Sequence, residues 1–166
     1  MEKKRLKIEK GTAITVVGLG VSGLAAVEYL LQRGVRVFAS DLGDRGSFPK
    51  DEIQALEKRG VTFEFGTHTI DFVKKGEFVL VGPGVPLQSK IVVELHKDGI
   101  PVIGELGLVE EELKGKIVAV TGTNGKTTVT DLLDTILKGA SKKTFAGGNI
   151  GTPVYEYCTG SKDSEI

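Results

Sequence analysis

The run Val118-Ala119-Val120-Thr121-Gly122-Thr123-Asn124-Gly125-Lys126-Thr127-Thr128 joins an apolar stretch to a glycine-rich turn, a lysine and two adjacent hydroxyls. These residue types suit a bound triphosphate. Backbone N–H groups of the turn wrap phosphate oxygens, the lysine neutralises charge at the β- and γ-phosphates, and a hydroxyl coordinates magnesium. The stretch departs from the general G-x-x-x-x-G-K-[ST] pattern, because Val120 leaves the loop shorter at its front. A surface turn with a solvated lysine is the bland alternative. The apolar run before the turn and the helical pattern after it favour nucleotide binding.

A second constellation lies near the start. Gly18-Leu19-Gly20-Val21-Ser22-Gly23 follows an apolar run and opens a helical pattern. In G-x-G-x-x-G the first glycine permits a tight turn and the second lets backbone approach a pyrophosphate. The third lets the helix sit close to the strand. The helix N-terminus then presents free N–H groups and the positive end of its dipole, with Ser22 available as a cap or phosphate contact. Asp41 ends the following apolar run, where a ribose-binding acid stands in such sites. A tight turn without ligand is the alternative here. The motif does not separate a nicotinamide dinucleotide from a nucleotide sugar, since both carry a pyrophosphate.

The elements that must position these loops follow a strand–helix alternation. Strands are expected over residues 13–17, 35–39, 61–65, 78–81 and 101–103, and helices over 22–31, 50–59, 89–97 and 105–113. That alternation predicts an α/β fold, a Rossmann-like parallel sheet with helices on both faces. The polar break Lys114-Gly115-Lys116 then restarts the series. A strand over 117–120, a helix over 127–137 and a strand over 143–146 read as the beginning of a second, P-loop α/β domain. The expected division is therefore 1–113 for the first domain and 114–166 for the second.

Composition narrows the partners. Lysine plus arginine and aspartate plus glutamate both number 22, so net charge gives no reason to expect nucleic acid or an anionic membrane. Hydrophobic residues make up 40% of the 166, enough for a packed core. No apolar run is long enough to span a bilayer, residues 1–10 lack the apolar core of a signal peptide, and Cys158 is the sole cysteine. A cytoplasmic protein in a reducing compartment is expected. His68 and His96 have no partner ligands at metal spacing and read as structural, with His68 placed to cap or pack beside the following helix.

Two phosphate loops with a domain break between them are not a dehydrogenase layout. Residues 122–128 resemble the ATP loop G-[TS]-[ND]-G-K-[TS]-[TS] of the Mur ligases, the ATP-dependent amide ligases of peptidoglycan precursor synthesis. The loop at 18–23 is similar to the family's uridine-diphosphate loop, and Asp41 matches an acid at the end of the second strand. Residues 81–85 resemble an S-P-G-I turn, with Gly82 in place of the serine and a backbone contact from Gly84 retained. Residues 104–108 resemble the E-x-E-L segment before the domain junction, with the first acid replaced, and 147–153 are close to G-G-N-I-G.

The resemblance implies roles for particular residues. Gly122, Thr123, Asn124, Gly125, Lys126, Thr127 and Thr128 would hold ATP, with Thr127 on Mg2+ and Lys126 stabilising the transferring phosphoryl group. Gly20, Val21, Ser22, Asp41, Gly84 and Asn149 would contact the substrate, and Asn149 would join Lys126 in catalysis between substrate and ATP. The implied substrates are small molecules, UDP-N-acetylmuramoyl-L-alanine and D-glutamate, and the implied complete protein is a monomer. The segments that follow G-N-I-G in the family, including a carbamylated lysine and a magnesium-site histidine, are not among these 166 residues. The chain by itself is therefore expected to be inactive. Two other readings stand beside this one. A nicotinamide-dependent oxidoreductase leaves residues 122–128 unexplained, and a non-catalytic nucleotide-sugar-binding module remains open.

Overall fold

A computed structural model describes residues 8–148 and 151–159. The chain divides into two compact units, Met1–Leu108 and Val109–Ile166.

The first unit is built on five parallel strands: β1 (Ala13–Val17), β2 (Arg36–Asp41), β3 (Thr62–Phe65), β4 (Phe78–Val81) and β5 (Val102–Ile103). Their order across the sheet is β3-β2-β1-β4-β5. Between them run α1 (Val21–Gln32), α2 (Lys50–Lys58), α3 (Ile70–Val73) and α4 (Lys90–Lys97). The chain steps outward from β1 to β3, then returns across β1 to β4 and β5. Crossovers of the hand usual for parallel strands, run in opposite directions from β1, put helices on both faces of such a sheet.

β1 is buried along its whole length, which is why it reads as a mostly apolar, β-branched run, Thr15 its one polar member, rather than an alternation. On one face Val17, Val79 and Val81 pack with Val73 of α3 and with Ile91, Val92 and Leu95 of α4. The intervening residues Ile14, Val16 and Leu80 point to the other face and are equally buried. Three helices of this unit end where the backbone turns left-handed. Gly34, Gly60 and Gly99 follow α1, α2 and α4 with φ of +70°, +95° and +70°.

α5 (Glu105–Val109) ends sooner than the pattern predicts. In the second unit α6 (Lys126–Gly139) and α7 (Val154–Thr159) are helices. Two sequence expectations fail here. Residues 117–120 and 143–146 form no strand, and an isolated bridge between Gly147 and Thr152 is what remains of pairing. A strand needs a hydrogen-bonding partner and a face to bury. The described residues of this unit give 117–120 neither, and Ile117 and Val118 are 68% and 66% exposed. α6 likewise leaves Val129, Leu132, Ile136 and Leu137 in solvent.

Candidate functional site

The sheet order reverses between β1 and β4, the switch point at whose carboxyl ends open α/β sheets form their ligand crevice. Two glycine turns meet there. Gly82 donates its N–H to Val17 O at 2.8 Å, and Val85 N–H closes the turn on Gly82 O at 3.0 Å. A Cβ on Gly82 would stand 3.2 Å from Gly18 O, so glycine suits the position that resembles a serine of the family. Gly84 is exposed at the tip.

The three glycines of the 18–23 loop answer to three different constraints. Gly18 has φ +89°, and a Cβ on it would meet Val85 Cγ2 at 2.9 Å. Gly23 is buried under the loop, where a Cβ would overlap Gly18 O and reach within 2.9 Å of Gly18 C. Gly20 differs from both. Its φ is −61°, it forms the N-cap of α1, and a Cβ on it would find open space. The one glycine that the protein's own packing does not require is thus the one beside the free helix N-terminus. Because Gly20 takes the cap position, Ser22 lies inside the first turn and does not cap. Val21 is 76% exposed on the same turn.

Asp41 ends β2 beside this loop. Its Oδ2 accepts the Leu19 N–H at 2.6 Å and its Oδ1 accepts the Gly43 N–H at 2.7 Å. One carboxylate thereby ties the β1–α1 turn to the turn after β2.

The sequence did not point to the neighbouring network. Ser40 is fully buried, and its Oγ lies 2.7 Å from His68 Nδ1, 3.1 Å from Glu64 Oε2 and 3.1 Å from Thr67 O. Glu64 also accepts the Thr69 N–H at 2.8 Å. Thr69, not His68, takes the N-cap position of α3. The parallel register that sets Ser40 opposite Glu64 creates this cluster, and no spacing in the chain announces it. Burial lowers the His68 pKa from its ordinary 6.5, against the opposing pull of Asp41 and Glu64. Burial thus favours the neutral imidazole. A group whose folded pKa is lowered binds fewer protons folded than unfolded just below 6.5, so stability rises with pH there. We expect stability to be full above about pH 6.5 and to decline below it. Denaturant titrations across pH 5–8 would read this, and His68→Asn should flatten the slope between pH 5 and 6.5. An unchanged slope in that variant would count against His68 as its source.

The second loop stands by itself in the second unit. Gly122 and Gly125 have φ of +145° and +76°, and Gly125 is the N-cap of α6. Lys126 opens the helix and folds its Nζ back over the turn, donating to Gly122 O at 2.6 Å and to Thr123 O at 3.3 Å. Thr123, Asn124, Thr127 and Thr128 are exposed around it. The first N–H groups of α6 have no intrahelical acceptor, and no acidic residue sits in its first turn to compete for them. Asn149 lies outside the described residues.

Among the described residues no group of three or more His, Cys, Asp or Glu could hold a metal. His96 is exposed in the last turn of α4. No helix among the described residues is long and apolar enough to cross a membrane.

Comparison with known proteins agrees with this architecture. Residues 12–104, more than half of the chain, match the family model described as Mur ligase MurD-like, N-terminal domain. The UDP-N-acetylmuramoylalanine--D-glutamate ligase of Acidobacterium capsulatum is 44% identical over 93% of this chain and 33% of its own length. The protein of the same name from Koribacter versatilis is 38% identical over 93% of this chain and 34% of its own. The chain thus spans about a third of the length of these relatives. Among solved structures, a murein peptide ligase from Psychrobacter arcticus matches at TM-score 0.53 and 26% identity, over 80% of this chain and 28% of that one. A pseudomurein peptide ligase type C from Methanothermus fervidus gives TM-score 0.52 and 26% identity, over 80% and 27%. Family model, relatives and fold converge, and the chain belongs to the Mur ligase family, in its MurD-like group.

Proposed function

We propose that this chain is the nucleotide-sugar-binding unit, with the opening of the ATP-binding unit, of a ligase that adds D-glutamate to UDP-N-acetylmuramoyl-L-alanine. The observation that carries the reading is Gly20. It borders free N–H groups of α1 and leaves open space where a side chain would stand, as a loop built for a pyrophosphate requires. Gly20, Val21 and Ser22 offer backbone and hydroxyl donors to the diphosphate, with Asp41 and Gly84 at the borders of the same crevice. The names of the relatives supply the substrate.

In the second unit residues 122–128 hold ATP. Lys126 exchanges its two loop carbonyls for phosphate oxygens, so that its charge faces the β- and γ-phosphates. Thr127 offers one hard oxygen at the start of α6, which suits Mg2+, an ion that draws most of its ligands from phosphate and water. Bound there, the ion neutralises phosphate charge. The reaction is phosphorylation of the substrate carboxylate by ATP, then attack of the D-glutamate amine on the acyl phosphate, giving the amide, ADP and phosphate. Asn149 is proposed to stand near the transferred group, as a neutral donor that adds no charge.

The test is a calorimetric titration of the chain with UDP-N-acetylmuramoyl-L-alanine, with NADH in a parallel cell. Heat from the nucleotide sugar and none from NADH is the expected result. Binding of NADH alone would replace this reading with an oxidoreductase. The same sample, given ATP and D-glutamate as well, is expected to release no phosphate, because the 166 residues correspond to a third of the relatives.

A further inference from the structure

Within that proposed site, and resting on it, the geometry points to Asp41 as a positioning residue: its carboxylate sets the glycine loop, and the loop meets the pyrophosphate. An acid at the end of the second strand ordinarily serves as a direct acceptor for ribose hydroxyls. Here both of its oxygens already accept backbone N–H groups, from Leu19 at 2.6 Å and from Gly43 at 2.7 Å. Bonds of this length to an ionised acceptor are among the stronger ones a protein makes.

Leu19 lies between Gly18, with its left-handed backbone, and the open Gly20. Its side chain is buried, and its N–H is turned toward the end of β2. Gly18 N–H is tied to the same strand end through Ser40 O at 2.9 Å. Two consecutive N–H groups of the loop are thus anchored to β2, which aims the next ones, at the start of α1, outward into the crevice. The arrangement also gives the carboxylate's negative charge to Leu19 and Gly43. A bare carboxylate facing a diphosphate would repel it.

Asp41→Asn tests this with almost no change of shape. The amide oxygen accepts one of the two N–H groups, and the amide nitrogen, a donor, then opposes the other. Affinities of the whole chain for UDP and for uridine are measured in wild type and variant, together with hydrogen exchange at the Leu19 amide. The expected result is a loss of about tenfold for UDP, with uridine affinity held within about twofold and faster exchange at Leu19. Asp44→Asn is the control and should change none of the three.

An equal loss for uridine and UDP, with Leu19 exchange unchanged, would make Asp41 a direct nucleoside contact and overturn the inference. An equal loss with a falling melting temperature would reduce it to general support of the fold, and unchanged UDP affinity would also overturn it. If wild type bound no UDP, the proposed function would fail first and take this inference with it.

Discussion

Gly20→Val is expected to abolish binding of UDP-N-acetylmuramoyl-L-alanine while the protein stays folded. Gly20 has an ordinary φ of −61° and a ψ of −171°, values that a β-branched residue adopts readily. A Cβ there meets no atom within 4 Å, so the new side chain displaces nothing in the ligand-free protein. The cost to stability is that of exchanging glycine for valine at an N-cap, about 1 kcal/mol, or a few degrees of melting temperature. The cost to binding is of another order. The methyl groups stand over the N–H groups of Val21 and Ser22, the space a pyrophosphate needs. A loss of about a hundredfold or more corresponds to nearly 3 kcal/mol, a modest charge for displacing a diphosphate from a helix N-terminus. Thermal unfolding and calorimetry on one sample check both halves. Retained binding would show that the ligand does not approach this loop.

Gly23→Ala should produce the reverse pattern, with stability lost. Helix propensity alone argues for the substitution, since alanine inside a helix is favoured over glycine by about 1 kcal/mol. Packing argues against it and wins. The added methyl would overlap Gly18 O, an atom of backbone that cannot swing aside. Gly18 is held by its N–H bond to Ser40 O, and the next residue by its bond to Asp41. Relief requires α1 to lift from β1, which opens a core containing Ala26, Val27 and Leu30. Overpacking of this kind costs about 3 kcal/mol, so the melting temperature should fall by roughly ten degrees or more. A melting temperature within two or three degrees of wild type would mean that the helix and the loop are not locked together as described.

The two substitutions separate what one motif compresses into six letters. The pattern G-x-G-x-x-G marks the place, and it assigns each glycine a general reason. The folded chain decides which of those reasons belong to the fold. Gly18 and Gly23 are demanded by Val85 and by Gly18 O, and Gly20 by nothing inside the protein.

The sequence determined most of the first unit. β1 and β4 fall where the mostly apolar runs place them, at Ala13–Val17 and Phe78–Val81, because each lies inside the sheet and is covered on both faces. The ends of α1 and α2 were legible from Gly34 and Gly60, since glycine takes those left-handed turns without strain, and Gly99 does the same after α4. α3 was legible only as a helix following His68, without bounds, because four residues carry too little periodicity, and α7 escaped notice because Val154 and Tyr155 give its short run no repeat. The strands expected after residue 116 failed for a different reason. Local pattern supplies a strand's propensity, but its existence depends on partners that the pattern cannot name.

The candidate site divides along the same line. Phosphate loops are local objects: a turn, a helix start and a lysine lie within a few residues, so composition and spacing reveal both of them. The Asp41 carboxylate was legible as an acid in the right place, but not as a brace, because its acceptors' partners Leu19 and Gly43 come together only when β1 and β2 pair. The contact of Ser40 with His68 and Glu64 was not legible at all. It exists because parallel pairing of β2 with β3 brings residues distant in the chain to one strand end. Spacing along the chain fixes what neighbours can do together, and only the sheet register decides which distant side chains become neighbours.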